Sequence, residues 1–189
     1  GKGVERITKK GVVVDGQEYE LDCLIYASGF EVGTDYSRRA GLEIYGRDGQ
    51  SLTEIWADGI RTLHGMHVRG FPNCFVMSNP QSGFTASYPH LLNEQAVHLA
   101  YIIQNGREKG LRVIEASEEG EAKWVEQCIS KARDAGDFFE NCTPGYYNFE
   151  GESQRRQDGN YNGSYSQYVA HTEDVLANIA ENFLFTKRP

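Results

Sequence analysis

The sequence predicts an α/β fold, and three stretches carry that expectation. The first is Leu21-Asp22-Cys23-Leu24-Ile25-Tyr26-Ala27-Ser28-Gly29-Phe30, whose almost continuous apolar centre stops at small residues and a glycine. Continuous apolarity suits a strand covered on both faces, as in a parallel sheet. A glycine directly after such a strand lets a second backbone or a ligand come close, because no Cβ intervenes. The second is a strand–polar loop–helix arrangement over residues 74–105. The third is the remainder from Arg107, where helical patterns dominate and read as a separate lobe.

Taken in order, Gly11-Val12-Val13-Val14, Asp15-Gly16 and Gln17-Glu18-Tyr19 form a hairpin signal: a β-branched run, a DG turn and a second extended run. Residues 31–70 alternate short extended pieces with Gly and charged turns. Gly70-Phe71-Pro72-Asn73 reads as a turn, Cys74-Phe75-Val76-Met77 as a short strand, and residues 78–87 as a small, polar loop. Pro89 suits a first helical turn, so a helix is expected to start near Ser87 or Tyr88. Leu92, Ala96, Leu99 and Ile103 step along one face, and Asn105-Gly106 gives a stop signal. Ser117 followed by Glu118 and Glu119 opens a second helix running to about Phe139. Residues 141–163 read as a long loop, of the kind that is usually functional or mobile. A last helix over 165–181 turns Tyr168, Val175, Leu176 and Ile179 inward, and Phe183-Leu184-Phe185 is a short strand.

A chain of 189 residues buries roughly 70% of its unfolded surface, enough for a proper core. Its composition is that of a soluble globular protein. Lys plus Arg minus Asp plus Glu is 19 − 27 = −8, which argues against nucleic-acid and anionic-membrane partners, since phosphate binding needs clustered positive charge. The one basic cluster, Arg155-Arg156, is too short to change this. No apolar run is long enough to span a bilayer. Cys23, Cys74, Cys128 and Cys142 include no CxxC pair and read as reduced thiols in a cytoplasmic protein. His64-x-x-His67 has no matching carboxylate, so no metal is expected.

The loop before the helix at 87 is the first place with chemical content. A helix N-terminus offers open N–H groups and partial positive charge, which suit an anion or an electron-rich ring edge. A loop that simply caps its helix is the other reading of the same residues.

LDCLIYASGFE at 21–31 resembles the motif that closes the FAD domain in flavoproteins with two dinucleotide-binding domains. RGFPNCFVMSNPQSGFTASYPHLLNEQ at 69–95 resembles the corresponding segment of Baeyer–Villiger monooxygenases, and Trp56-Ala57-Asp58-Gly59-Ile60-Arg61-Thr62 between them matches the same family's texture. The resemblance implies the C-terminal part of such an enzyme: residues 1–105 as the end of an incomplete, Rossmann-like FAD domain, and 106–189 as a helical lobe. Both GxGxxG fingerprints and the family's Phe-x-Gly-x-x-x-His signature are missing, and in the family these lie upstream. The chain is therefore expected to be inactive alone and to work with the upstream part of the same enzyme. The implied reaction inserts oxygen into a small-molecule ketone, using FAD, NADPH and O2 through a flavin C4a-peroxide.

Carried over residue by residue, Ser28, Gly29 and Phe30 match the FAD-contacting turn, with Ser28 where Thr is usual. Asn79, Pro80, Gln81 and Ser82 match the loop beside the isoalloxazine, with Asn79 in place of glycine. Pro89 falls where relatives have an unbranched apolar residue against flavin. Phe84, Thr85 and Ala86 match the bulge lining the substrate pocket; for Phe84, ordinary core packing is the competing reading. In Cys142-Thr143-Pro144-Gly145-Tyr146-Tyr147 the position of a tryptophan facing the nicotinamide cofactor falls on Gly145 or Tyr146, and only Tyr146 supplies an aromatic face. No catalytic residue is expected within the chain. Two further readings stand beside this one. The chain could belong to another two-domain flavoprotein, an N-hydroxylating monooxygenase or a reductase, or be a non-catalytic lobe that complements a partner chain. An unpaired strand at 24–26 would favour such complementation, or a homo-oligomer.

Overall fold

The computed structural model describes residues 3–27, 37, 40–77, 80–133, 141 and 157–187. The chain divides into two compact units, residues 1–34 with 137–152, and residues 35–136 with 153–189.

The first unit is built on an antiparallel meander of β1 (Arg6–Ile7), β2 (Gly11–Val14) and β3 (Gln17–Glu20). The β2–β3 hairpin has the expected register, Val12 opposite Tyr19 and Val14 opposite Gln17. Its turn residues Asp15 and Gly16 both adopt positive φ, 50° and 76°, the backbone twist that two-residue hairpins need. Val12 and Val13 are buried although they point to opposite faces. The apolar run after the hairpin differs from expectation. Residues 21–27 form no strand, and Ile25 and Tyr26 are 81% and 74% exposed. The ladder ends where the Leu21 N–H reaches the Lys10 carbonyl; beyond it no described strand lies alongside to complete a sheet and cover the side chains.

The second unit has α1 (Leu52–Trp56), α2 (Tyr88–Glu108), β4 (Leu111–Ala116), α3 (Glu118–Ser130), α4 (Tyr165–Ala177), α5 (Ile179–Asn182) and β5 (Phe183–Lys187). β4 and β5 pair antiparallel, Ile114 opposite Phe185 and Ala116 opposite Phe183. The strand at 183–185 thus exists and runs two residues further, whereas its partner β4 had no sequence expectation. The main core gathers Leu63, Leu91, Ile102, Ile114, Trp124, Tyr161, Tyr168 and Phe183. It therefore joins elements on both sides of position 105. A smaller cluster holds Leu52, Val68 and Phe71.

α2 starts at Tyr88, with Pro89 in its first turn, but ends at Glu108 and buries a face rotated from the expected one: Leu91, Gln95, His98, Leu99, Ile102 and Gly106. Ala96 and Ile103 are exposed. The rotation follows from partners inside the core. His98 meets His67, and Gln95 shares a side-chain hydrogen bond with Tyr168. Gly106 continues the helix because Ile114 packs on it; a Cβ there would lie 2.8 Å from Ile114 Cδ1. α3 begins as expected, with the Ser117 hydroxyl accepting from the Gly120 N–H, but stops at Ser130 rather than near Phe139. The expected strand at 74–77 reduces to a single bridge of Phe75 with His67, plus a bond from the Val76 N–H to the Met66 carbonyl. Its partner segment turns sharply at His64 and Gly65, φ 56° and 72°, leaving little edge to extend along.

Two half-exposed arginines close over buried carboxylates: Arg47 on Glu115 at 2.7 Å and Arg61 on Glu121 at 3.0 Å. α1 is held by a reciprocal capping box between Ser51 and Glu54. Replacing Ser51 with alanine removes the hydroxyl that accepts from the Glu54 N–H, while the residue-51 N–H can still donate to Glu54, and is expected to cost about 1 kcal/mol, read as a lowered urea midpoint with unchanged slope.

Candidate cofactor and substrate site

The expected cofactor loop is the segment that enters α2, and its buried half is held from several sides. Gln81 is completely buried and takes a left-handed conformation, φ 57°. Its Oε1 accepts from the Thr62 N–H at 2.9 Å and the Thr62 hydroxyl at 2.6 Å, while its Nε2 donates to the carbonyls of Ile60 at 2.7 Å and Gln157 at 3.0 Å. Ser82 is also fully buried, and its carbonyl accepts from the Tyr161 N–H. Two glycines make room for the loop. At Gly65 a Cβ would lie 2.9 Å from the Pro80 carbonyl oxygen, and at Gly83 it would lie 2.6 Å from the Tyr168 ring.

The outward half has the opposite character. Phe84 is 63% exposed, Thr85 is half-buried, and Ala86, Tyr88 and Pro89 are exposed. Phe84 therefore does not pack into the core of the described residues. Ser87, the N-cap of α2, makes no side-chain cap, and no acidic residue stands in the first turn. Pro89 has no N–H, and the His90 and Leu91 N–H groups turn back to the Ser87 carbonyl. The Tyr88 N–H is thus the open donor of this turn among the described residues. No acidic side chain of the first turn offsets its partial positive charge.

These features fit a flavin: an apolar and aromatic rim for a flat ring, beside one open N–H and a helix dipole for its electron-rich edge. Gln81 differs from the expected role in one respect, since both its amide groups are engaged within the chain and offer no free donor. Ser28, Gly29, Phe30, Asn79 and Tyr146 lie outside the described residues, so Pro80, Gln81, Ser82, Phe84, Thr85, Ala86 and Pro89 are the expected site residues that the structure brings into one segment.

Three contributors had no sequence expectation. Trp124 donates its indole N–H to the Gln81 carbonyl at 3.0 Å and stacks on Tyr161, with ring centroids 4.9 Å apart. Its place on the buried face of α3 with Gly120, Glu121 and Cys128, at helical spacing, is the signal that would have found it. Thr62 fell within the stretch matching the family's texture and 157–161 within the long loop at 141–163, but no spacing linked either to Gln81. His64 and His67 do not act as a pair: His64 packs its ring against Trp124, and His67 against Phe183 and His98. Burial holds both well below the usual imidazole range, the neighbouring histidines adding to it. Burial also pushes the Cys128 thiol up to about 12, so that thiol stays protonated at neutral pH. Among the described residues no group of three His, Cys, Asp or Glu could hold a metal ion, and no helix is long and apolar enough to cross a membrane.

No family model matches the chain. It is 53% identical over 154 residues to pentalenolactone D synthase of Streptomyces exfoliatus, a match covering 80% of this chain and 26% of that protein. It is 41% identical over 166 residues to a Baeyer–Villiger monooxygenase of Stachybotrys chlorohalonatus, covering 87% and 27%. Among solved structures, the polycyclic ketone monooxygenase of Thermothelomyces thermophila superposes with a TM-score of 0.83 at 30% identity, covering 100% of this chain and 32% of that one. The chain thus spans about a quarter of the length of the curated relatives it matches. Identity of this order, over most of the chain and with one shared fold, makes it a portion of a Baeyer–Villiger monooxygenase.

Proposed function

We propose that the enzyme to which this chain belongs inserts oxygen into ketones with FAD, NADPH and O2, and that this chain supplies one wall of the flavin and substrate site. The observation that carries the reading is the start of α2, with no side-chain cap and no acid, beside an exposed apolar rim. A relative in Hypomyces subiculosus is named as an FAD-binding monooxygenase, and a steroid monooxygenase bound to NADP superposes on this chain; both support the cofactor assignment.

When bound, FAD reduced by NADPH supplies the activated oxygen. This chain's residues do the rest of the work assigned to it. Pro80, Gln81 and Ser82 fix the course of the backbone beside the ring. The Tyr88 N–H and the helix dipole hold the ring edge where negative charge collects on reduction. Phe84, Thr85 and Ala86 line the ketone side and exclude water. Pro89 borders the ring, and Ser28, Gly29, Phe30, Asn79 and Tyr146 keep the cofactor contacts implied by the family motifs, Tyr146 towards the nicotinamide. Residues 1–105 serve the FAD domain and 106–189 form its lobe. The free thiols of Cys23, Cys74 and Cys128 support a cytoplasmic location, and the exposed run at 24–26 supports association with the rest of the enzyme or with a second copy.

The substrate half of this reading is tested with Phe84→Ala in the full-length enzyme. The ratio of kcat/KM for a bulky over a small cyclic ketone is expected to shift by about tenfold, the scale of one reshaped apolar contact, with bound flavin per protein unchanged. Loss of flavin with an unchanged ketone preference would move Phe84 from the substrate pocket to the cofactor.

A further inference from the structure

We infer that Gln81 is a positioning residue, whose side-chain amide latches residues 157–161 onto the loop at 80–82 and so fixes that loop's peptide groups for the cofactor; only the last clause rests on the proposed function.

Three segments distant in sequence meet at this one amide. Its oxygen faces donors only, the N–H and hydroxyl of Thr62, and its nitrogen faces acceptors only, the carbonyls of Ile60 and Gln157. Both lone pairs and both N–H groups are therefore used, and the amide has one possible orientation. The backbone of the same residue repeats the arrangement. The Gln81 N–H donates to the Gly159 carbonyl at 2.8 Å, and the Gln81 carbonyl accepts from Trp124. The Tyr161 N–H then donates to the Ser82 carbonyl, and Gly83 bridges to Tyr161 in parallel. From the other side Gln157 Nε2 donates to the Ile60 carbonyl, and the Ile60 N–H donates to Asp158 Oδ1.

The backbone conformation explains why a side chain is present at all. Glycine would take a φ of +57° without cost, whereas glutamine is strained there. A fully buried, strained residue with every polar group engaged persists where the surroundings over-determine it. No smaller or simpler side chain meets the same demand. Asparagine is one methylene shorter, glutamate has no donor when ionised, and leucine leaves the Gln157 carbonyl and both Thr62 donors without Gln81 and the Ile60 carbonyl with Gln157 alone.

Glutamate provides the discriminating test, because its shape is right and its donors return only with a proton. In Gln81→Glu a carboxylate would face the Ile60 and Gln157 carbonyls. Burial and those carbonyls raise its pKa, and protonation restores one donor. The experiment is hydrogen exchange by mass spectrometry on the full-length enzyme loaded with FAD, between pH 6 and 8.5, following peptides over 58–63, 80–84 and 157–163. After correction for intrinsic exchange, the variant is expected to exchange about tenfold faster than the parent at pH 8.5 in all three peptides, an opening of the kind local unfolding produces. It should close towards the parent at pH 6, with flavin release following the same profile. Gln81→Leu is expected to exchange fast throughout.

A defect in Gln81→Glu that does not change with pH, or no change in the 157–163 peptide, would overturn the latch. The pH-dependent exchange with flavin release unchanged would uphold the latch and remove the cofactor assignment of the loop. If Gln81→Glu does not accumulate, Thr62→Val removes the hydroxyl that donates to Gln81 and also accepts from the Gly65 N–H, while the Thr62 N–H to Gln81 stays. This variant is then expected to speed exchange in the 157–163 peptide by about threefold, a lost hydrogen bond of modest worth. Unchanged exchange there would equally overturn the latch.

Discussion

Trp124→Ala is expected to cost about 4 kcal/mol, the range for deleting a large aromatic side chain from a core that relaxes only in part. The indole is 3% exposed and lies at the centre of the main cluster. It stacks on Tyr161 at 4.9 Å, meets the His64 ring edge-on at 4.4 Å, and lies 6.0 Å from the Tyr168 ring. Removing it opens a void bounded by rings that cannot collapse together without unseating α4 and the 157–161 segment. Trp124→Phe separates packing from the hydrogen bond. It keeps most of the ring contact but leaves the Gln81 carbonyl without its indole donor, at an expected cost of about 1–2 kcal/mol. Urea unfolding of the two variants measures both quantities. A Trp124→Ala midpoint within about 1 kcal/mol of the parent, less than any buried aromatic truncation should cost, would show that the core is not organised around this ring. The same contact links stability to the proposed site, because the indole holds the backbone of the loop that enters α2.

Where the signal was local, the sequence was legible. The DG hairpin, Ser117 as a cap, Pro89 in a first turn and the β5 strand at 183–185 each depend on neighbours a few residues away, and each is present in the structure. The loop at 80–86 was legible as a segment through its family resemblance. Its internal bonding was not, because the partners of Gln81 lie at Thr62, Trp124 and Gln157, and no spacing rule connects them. The face of α2 was misread for a related reason. Periodicity assigns the interior to Leu92, Ala96 and Ile103, whereas the fold buries Gln95 and His98 because polar partners await them. The run at 21–27 shows the converse. Its composition suits a covered strand, but a strand forms only where another lies beside it, and none of the described residues does. β4 escaped notice because Leu111-Arg112-Val113-Ile114-Glu115-Ala116 mixes charge with apolar residues, and its inward Glu115 is acceptable only once Arg47 and the Gly70 N–H are in place.

Those buried polar residues give the fold an acid limit. His67 and His98 share a hydrogen bond, Nε2 to Nε2, at 3.3 Å, and both are buried. His67 is enclosed edge-on by Phe75 and Phe183, and His64 by Trp124 with His171 at 6.5 Å. The pair needs one donor and one acceptor nitrogen, so at least one ring must be neutral. Burial, followed by mutual repulsion, holds His64 and His67 well below the usual range, and burial alone lowers His98 to about 4. An unfolded histidine titrates near 6.5, so the unfolded chain binds more protons than the folded one at mildly acid pH. The stability from keeping these rings neutral is therefore complete above pH 6.5 and is lost as pH falls from there towards 4. For His98 alone the loss over that interval is roughly 3 kcal/mol, and the other two add to it. Unfolding at pH 5.5 is accordingly expected to take up close to three protons from this cluster. The replacement of His67 by Phe together with His98 by Leu should remove about two of them and flatten the dependence of the urea midpoint on pH between 7 and 5. Measurement above pH 5 keeps the carboxylates largely out of the titration. A double variant whose midpoint falls with acid as steeply as the parent's would mean that the pair is already protonated in the fold. The 3.3 Å contact would then lose its only acceptor.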